Sequence, residues 1–152
     1  MKEVTQLFAG ARTDGSPVYE EVVVESMGQG RFRLMQSPGL VLGVAAGDVI
    51  DVSEDRRATV VERGGNLCIQ IYTKGEGAKI EPVVRERLVR LNGRLDGRSE
   101  QQLVFTVPAS AGLATVETAM AELVRQFPKA EWYYGNVYDP VDGVTPLNWW
   151  LQ

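Results

Sequence analysis

The sequence of 152 residues contains no histidine, and this absence restricts its chemistry. Histidine has the ordinary side-chain pKa closest to neutrality, so it serves most often as a general base and as a metal ligand. With one cysteine as well, tetrahedral zinc sites and Ser-His or Cys-His nucleophile systems are excluded. Carboxylate, lysine or tyrosine chemistry stays open but needs a tuned environment. We therefore expect a binding protein with no cofactor or metal, not an enzyme.

Cysteine and long apolar runs are also scarce. Cys68 is the single cysteine, so no internal disulfide can form and nothing indicates an oxidising compartment. No apolar run approaches the roughly 20 residues that cross a bilayer. The N-terminal stretch carries one lysine and a short apolar patch that ends at Arg12, which is too little for a signal peptide. We expect a cytoplasmic protein that does not enter a membrane.

A basic excess is missing too. The 16 Lys and Arg residues are outnumbered by 20 Asp and Glu residues, which gives a net charge of −4. Proteins that bind nucleic acid normally carry the opposite balance, so composition argues against such a partner. With 44% hydrophobic and 24% charged residues, the chain has the composition of an ordinary globular protein.

Short alternating stretches in the first half predict strands. They lie at 17–27, 30–36, 47–52 and 58–63, and glycines or charged turns separate them. Four or five short strands within about sixty residues are typical of a small barrel or a strongly curled sheet. The sequence therefore predicts an antiparallel, barrel-like domain over residues 1–63.

The stretch SPGLVLGVAAGDVIDV, residues 37–52, interrupts these strands. It holds one proline and three glycines, and no charge before Asp48. We interpret it as a corner that crosses the mouth of the barrel, apolar where it plugs the end and glycine-rich where it bends. A phosphate-binding glycine loop is the alternative. It is disfavoured because its motifs are missing and no basic residue lies between Arg33 and Arg56.

The second half changes to a mixed pattern. Strands are predicted at 66–74, around Leu95, at 102–107 and at 130–138. A helix is predicted over 80–93, with Pro82 in its first turn and Asn92-Gly93 as its stop, and a second helix ends before Pro128. The order βαββαβ is typical of a ferredoxin-like domain, here 66–138. We expect an α+β protein whose halves join at Gly64-Gly65, followed by an aromatic tail, 139–152.

Residues 25–52 combine a strand with glutamate, a Gly-x-Gly-Arg-aromatic-Arg motif, a proline-led apolar segment and a Gly-Asp-Val motif. The residues of these motifs are Gly28, Gly30, Arg31, Phe32, Arg33, Leu34, Pro38, Gly43, Gly47, Asp48 and Val49. This pattern resembles that of the bacterial domain of unknown function 4265 family. The resemblance extends more loosely over residues 14–138, and it implies no catalytic residues because that family has no assigned activity.

Arginines cluster in and after the first predicted helix. Arg87, Arg90 and Arg94 are expected on roughly one helical face, where they could bind RNA, phosphate or an acidic protein. The alternative is a solvated face whose arginines pair with neighbouring acids. RNA-binding sheets of this class stack bases on strand aromatics, and the central strands offer only Tyr72 and Phe105.

The C-terminal stretch 132–152 concentrates the aromatic residues. It holds all three tryptophans and three of the five tyrosines, and Trp and Tyr are common anchors of protein interfaces. The alternative is that the tail folds back and its rings fill the seam between the two halves. Asp139 and Asp142 are expected in a turn. The candidate partner-binding residues are Trp132, Tyr134, Tyr138, Trp149 and Trp150.

The leading functional hypothesis is a non-enzymatic protein-interaction module that regulates or neutralises another bacterial protein. A small-molecule sensor, with its ligand between the barrel mouth and the second sheet, is the alternative. RNA binding through the arginines is a weaker one. A homo-oligomer is a further alternative, in which the aromatic stretch is a dimerising patch.

Overall fold

The computed structural model describes residues 2–151. Met1, the first residue of the predicted range 1–63, and Gln152, the last of the predicted range 139–152, lie outside the described residues. The first half contains strands and the second half strands and two helices, which confirms the α+β class. The strands of the first sheet are β1 (Lys2–Ala11), β2 (Pro17–Gly28), β3 (Arg31–Leu34), β4 (Val49–Val52) and β5 (Ala58–Glu62). The second half contains β6 (Asn66–Tyr72), α1 (Gly77–Val89), β7 (Arg94–Arg98), β8 (Gln102–Pro108), α2 (Leu113–Gln126) and β9 (Glu131–Tyr134).

The first sheet is an antiparallel meander in the order β1-β2-β3-β4-β5. Within residues 2–151 no strand ladder joins β1 to β5, so the predicted barrel is not a closed one. The two edges are linked where the Phe8 N–H donates to the Arg56 carbonyl at 2.8 Å. The sequence pattern does not predict β1, because the strand lacks a clear alternation of apolar and polar residues. Only Leu7 of its ten residues is fully buried.

The second sheet has the order β7-β8-β6-β9, and all of its strand pairs are antiparallel. Alternation divides its central strands between two faces. Ile69 and Phe105 pack against the helices in the main core, whereas Cys68 and Gln70 point to the opposite face. Both helices are amphipathic as predicted, and α2 ends before Pro128. The edge strand around Leu95 is confirmed as β7.

The predicted bounds of the first helix and the predicted end of the last strand are wrong. Helix α1 begins at Gly77 instead of at 80, so Pro82 lies inside the helix instead of in its first turn. It ends at Val89 instead of continuing to 93, and Asn92 takes a positive φ of 62° beyond it. The last strand ends at Tyr134 instead of Tyr138, because the next carbonyl turns away from the sheet to Gly43.

The predicted junction at Gly64-Gly65 lies between the two sheets, although independent folding of the halves stays a prediction. Neither α1 nor α2 is long and apolar enough to span a bilayer, a finding that covers residues 2–151.

Candidate functional site

The connection between β3 and β4, residues 35–48, forms the seam between the two sheets. We call it the connector. Its Val41 and Val44 lie in the core of the first sheet, and its Ala45 packs against Cys68 and Val104 of the second. The Pro38 carbonyl accepts a hydrogen bond of 3.0 Å from the Gln70 side chain. The predicted corner is therefore correct in its apolar character, but it also covers the face of the second sheet opposite the helices.

Glu20 of β2 holds one end of the connector. Its carboxylate accepts hydrogen bonds from three consecutive backbone N–H groups, those of Gly39 at 2.7 Å, Leu40 at 2.9 Å and Val41 at 2.9 Å. Successive N–H groups that converge on one anion form a backbone nest. Because both carboxylate oxygens are occupied, Glu20 is a structural clamp in this conformation.

Asp48 holds the other end of the connector. This fully buried carboxylate accepts hydrogen bonds from the Ala45 N–H at 3.0 Å and the Gly64 N–H at 2.8 Å, and it lies 3.5 Å from the Arg63 guanidinium. Burial raises the pKa of Asp48, while those hydrogen bonds and Arg63 oppose the shift. The carboxylate thus ties the connector to the junction between the sheets.

A third polar group joins the connector to β7 and β8. Asp96 accepts a hydrogen bond from the Ser37 N–H at 2.8 Å and one from the Thr106 hydroxyl, and its other oxygen lies 2.9 Å from the Arg94 guanidinium. Arg94 also donates to the Met35 carbonyl at 2.9 Å. These bonds give Arg94 a structural role at the seam.

A groove of about 240 Å³ opens beside these contacts, between β2 and β7. We call it the junction groove. Its lining is mainly polar and includes Glu20, Ser37, Asp96, Arg98 and Gln102. The Gln102 side chain donates to the Gly39 carbonyl at 2.7 Å, so part of the wall is fixed by the connector. Binding of a small molecule between the two sheets stays a prediction.

Aromatic residues of the stretch 132–152 pack onto the second half. Trp132, Trp149 and Trp150 are half-buried against the main core, and Tyr134 is buried, with its hydroxyl donating to the Leu113 carbonyl at 3.3 Å. The Trp149 indole donates to the Asn136 carbonyl at 2.9 Å and faces the Arg63 guanidinium at 5.5 Å. The tail therefore covers the core of the second half, while the connector, not the tail, fills the seam. Whether any of these rings binds a partner stays a prediction.

Residues 138–146 form a self-bonded hairpin within this tail. Asp139 accepts from the Val141 N–H at 2.7 Å, and Asp142 accepts from the Val144 and Thr145 N–H groups at 2.8 and 2.9 Å. These Asx turns confirm the turn predicted for Asp139 and Asp142. The tight backbone leaves Val141 95% exposed and Val144 72% exposed.

A small cavity of about 160 Å³ separates the hairpin from the end of β9, and we call it the notch. It is lined mainly by apolar and aromatic side chains, among them Leu42, Tyr133, Tyr138 and Pro140. Together with Val141 and Val144 these residues form the tail surface. Of the aromatic residues proposed from the sequence, Tyr134 and Tyr138 line the notch, and of these two only Tyr138 is exposed. Leu42 and Pro140 were missed, because single apolar residues in loops carry no periodic signal.

The arginines do not share one helical face, which corrects that expectation. Arg87 lies in α1, Arg90 follows its last residue, and Arg94 lies in β7, because the helix ends earlier than predicted. Arg87 donates to the Gln126 side chain at 3.1 Å, and Arg90 pairs with Glu86 at 2.9 Å. Phe105 is fully buried on the helix-facing side of the sheet and cannot stack with a base. Anion binding by these arginines stays a prediction.

Reactive groups elsewhere in the chain are confined. Cys68 is fully buried, and burial raises the pKa of its thiol to about 12, so the reactive thiolate is suppressed. Burial is the main cause that raises the pKa of Tyr133, and the hydrogen bond with Tyr72 raises it further. Over residues 2–151, no three His, Cys, Asp or Glu side chains converge as metal ligands.

Two antiparallel sheets joined by a clamped connector, with two helices on one sheet, define a two-sheet α+β protein. Residues 20–129, more than half of the chain, match the family model described as "Domain of unknown function (DUF4265)", so the chain belongs to this family. The resemblance stated from residues 25–52 is thereby confirmed.

A solved structure described as "Novel crystal structure of a hypothetical protein from Neisseria gonorrhoeae" is similar to this chain. The TM-score is 0.67 at 14% sequence identity, over 89% of this chain and 94% of that chain. At this identity the likeness concerns the fold alone. A search of the curated proteins found no match.

The residues that carried the family resemblance are largely structural. Gly28 and Gly30 take positive φ angles in the β2–β3 hairpin, and Gly43 donates its N–H to the Gly135 carbonyl at 2.7 Å. Gly47 lies so close to the junction that a Cβ on Gly64 would approach its carbonyl carbon to 2.4 Å. The motif thus encodes the connector and its contacts. Glu20 was missed, since a single sequence does not reveal which backbone amides a strand glutamate reaches.

Proposed function

We propose that this protein is a non-enzymatic interaction module of the cytoplasm that binds another protein through the tail surface. The observation that carries the proposal is the exposure of Val141 and Val144 on a hairpin whose own hydrogen bonds fix its shape. Exposed apolar residues grouped beside a cavity are typical of protein interfaces. Regulation or neutralisation of the partner is the biological role that fits such a module.

The fixed shape of the hairpin supports binding. Association is opposed by the entropy of ordering loops and side chains at an interface, and a pre-organised loop lowers that cost. Asp139 and Asp142 hold the hairpin from within, and the Asp139 N–H donates to the Thr145 carbonyl at 2.8 Å. The hairpin can therefore present its apolar tip without folding on binding.

The engagement of the buried acids supports binding over catalysis. Asp48 and Asp96 have their oxygens occupied by backbone amides, hydroxyls or arginines of the chain itself, and so does the less buried Glu20. A general acid or base must reach a substrate proton within hydrogen-bond distance, directly or through one water. Each of these carboxylates instead serves the seam between the two sheets.

We also propose that the second half is a ferredoxin-like domain and that the first half is barrel-like. Strands β6 and β8 lie at the centre of the second sheet and β9 and β7 at its edges, the arrangement of a ferredoxin-like split βαβ unit. The approach of Arg56 to Phe8 supports a barrel-like, strongly curled first sheet. Under this proposal both units are scaffolds for the tail surface.

The test is reconstitution of a defined complex. The full chain is immobilised, a candidate protein from cells that carry the gene is purified, and the two are mixed at known concentrations. The proposal expects a stoichiometric complex that Val141→Asp weakens by about a hundredfold. Val4→Asp, in β1 of the first sheet, should leave the complex intact. Turnover of a substrate by the pure protein, or a complex indifferent to Val141→Asp, would overturn it.

A small-molecule sensor is the second candidate, and the junction groove is the observation that favours it. Polar groups from both sheets and from the connector converge there, as Ser37, Asp96 and Gln102 do. A ligand that binds only the folded state must raise the melting temperature. A metabolite screen by thermal shift, repeated with Gln102→Leu, tests it: a shift lost in that variant supports the sensor, and no shift for any metabolite removes it.

RNA binding is the weaker candidate, and its arginines are engaged with neighbouring groups of the chain. It requires an affinity for RNA that falls steeply with salt concentration. A flat salt dependence would remove it.

A further inference from the structure

Strand β9 is an edge of the second sheet, and its register shows which backbone groups face outward. The Gly135 N–H donates to the Cys68 carbonyl at 2.8 Å, so this pair is a hydrogen-bonded one. Hydrogen-bonded and non-hydrogen-bonded pairs alternate along an antiparallel ladder. The N–H and C=O groups of Tyr133 therefore point toward β6, and those of Trp132 and Tyr134 point away from it. Across the described residues, 2–151, no strand pairs with this outer side.

Two of the other three sheet edges, β1 and β7, carry features that discourage strand pairing. On β1, the Arg56 backbone and side chain occupy the Phe8 N–H and the Gln6 carbonyl. On β7, a bulge lies between Leu95 and Gly97. Such devices protect native edges from added strands. The sequence of β9, EWYY, has one charge at its start and is otherwise aromatic.

The notch lies at the C-terminal end of this unpaired edge. Tyr134 and Gly135 contribute to its wall, and Leu42, Tyr138 and Pro140 close it from the connector and the hairpin. An apolar cavity of about 150 Å³ accepts a group the size of benzene. At about 160 Å³, the notch is large enough for one apolar side chain of a strand that extends along β9.

We propose that the outer edge of β9 binds an extended segment of the partner protein, which adds a strand to the second sheet and places one apolar side chain in the notch. The inference rests on the proposed function and specifies the chemistry of the partner. In this mode of recognition, main-chain hydrogen bonds give affinity and a side-chain pocket gives specificity. The main-chain groups are those of Trp132 and Tyr134, and the pocket is the notch.

A second copy of the chain fits this edge less well. If two β9 strands paired about Tyr133, Trp132 of one copy would face Tyr134 of the other, and Glu131 would come opposite Gly135. The carboxylate of Glu131 would then meet the apolar notch, where a charged group loses solvation without a partner. An apolar segment from another protein has no such conflict.

The experiment selects peptides from a random 12-residue display library on the immobilised full chain. The proposal expects enriched peptides that share an apolar position, and it expects their binding to slow hydrogen exchange at the Trp132 and Tyr134 amides by about tenfold or more. Leu42→Asp, which charges the notch, should weaken binding by about tenfold. Leu40→Asp is the matched control, because Leu40 is similarly exposed on the connector but does not line the notch.

Replacement of a single amide by an ester tests the edge itself. An ester that removes the Tyr134 N–H deletes an outward donor and should weaken peptide binding by about tenfold with little loss of stability. The same change at Tyr133 deletes a bond to β6, so it should lower stability while the folded protein still binds.

Three results would overturn the inference. One is the absence of enriched peptides. Another is peptide binding that neither Leu42→Asp nor the Tyr134 ester weakens. If the purified partner then still binds and Val141→Asp weakens that binding, the inference fails while the proposed function stands. The third is a concentration-dependent dimer in sedimentation that Leu42→Asp disrupts, because the occupant would be a second copy.

Discussion

The carboxylate of Glu20 and the backbone N–H of Gly39 lie 2.7 Å apart, and this contact joins the first sheet to the connector. Two further amides reach the same carboxylate, so one side chain orients three residues of an irregular segment. The connector in turn covers Cys68 and Gln70 on the second sheet. The relative position of the two sheets therefore depends on a few buried or half-buried polar groups.

Glu20→Gln should lower the free energy of unfolding by about 2 kcal/mol, because a charged acceptor of three hydrogen bonds becomes a neutral amide with one carbonyl oxygen. Urea denaturation followed by circular dichroism measures the change. Glu21→Gln is the control, since Glu21 is an exposed neighbour on the same strand. Equal effects of the two substitutions would show that Glu20 does not act as a clamp.

Gly64→Ala should be far more damaging than Gly65→Ala. A Cβ at Gly64 would lie 2.4 Å from the Gly47 carbonyl carbon, and the atoms it would meet are backbone atoms, which cannot move aside as a flexible side chain can. We expect a loss of about 3 kcal/mol or more. Gly65 has open space around it but a φ of +81°, so alanine there should cost about 1 kcal/mol in strain. Thermal melts of both variants measure the difference in stability. Similar melting temperatures would contradict the close approach of Gly64 to Gly47.

Asp48 should make stability depend on pH in a defined direction. Burial raises its pKa in the folded state, so the folded protein binds more protons than the unfolded chain between the two pKa values. The contribution of Asp48 is therefore largest below the unfolded pKa of about 3.9 and declines as pH rises through the folded pKa. The difference in unfolding free energy between the wild type and Asp48→Asn should fall as pH rises above about 4. A difference that rises with pH would mean that the hydrogen bonds outweigh desolvation.

Trp149→Ala should destabilise the fold by about 2 kcal/mol, because a half-buried ring leaves the core and the Asn136 carbonyl loses its donor. Trp149→Phe keeps most of the ring and should lose about 1 kcal/mol. Chemical denaturation distinguishes the two. If neither variant changes stability, the tail does not pack as described.

Periodic features of the sequence predicted most of the regular structure. The strands around Ile69 and Phe105, the helix ending before Pro128 and the edge strand at Leu95 follow from alternation and from stop signals that depend on local sterics. The start of α1 was not predictable from Pro82. A proline marks a favoured first turn, but it does not require the helix to begin there.

The seam and the tail surface depend on contacts between residues far apart in the sequence. Gly39 meets Glu20, and Leu42 meets Pro140 across the notch. No local pattern encodes these pairs, so the sequence suggested an apolar corner and an aromatic tail but not which of them fills the seam. The sequence also did not show that the tryptophans are half-buried whereas the hairpin beside them is exposed.

The most direct test of the proposed function is the dissociation constant of the purified partner for three forms of the chain, measured by isothermal titration. Val141→Asp should weaken binding by about a hundredfold, since it places a charge at the centre of an apolar contact. Val4→Asp should bind as the wild type does. Equal affinity of all three forms would contradict the assignment of the tail surface as the site where the partner binds.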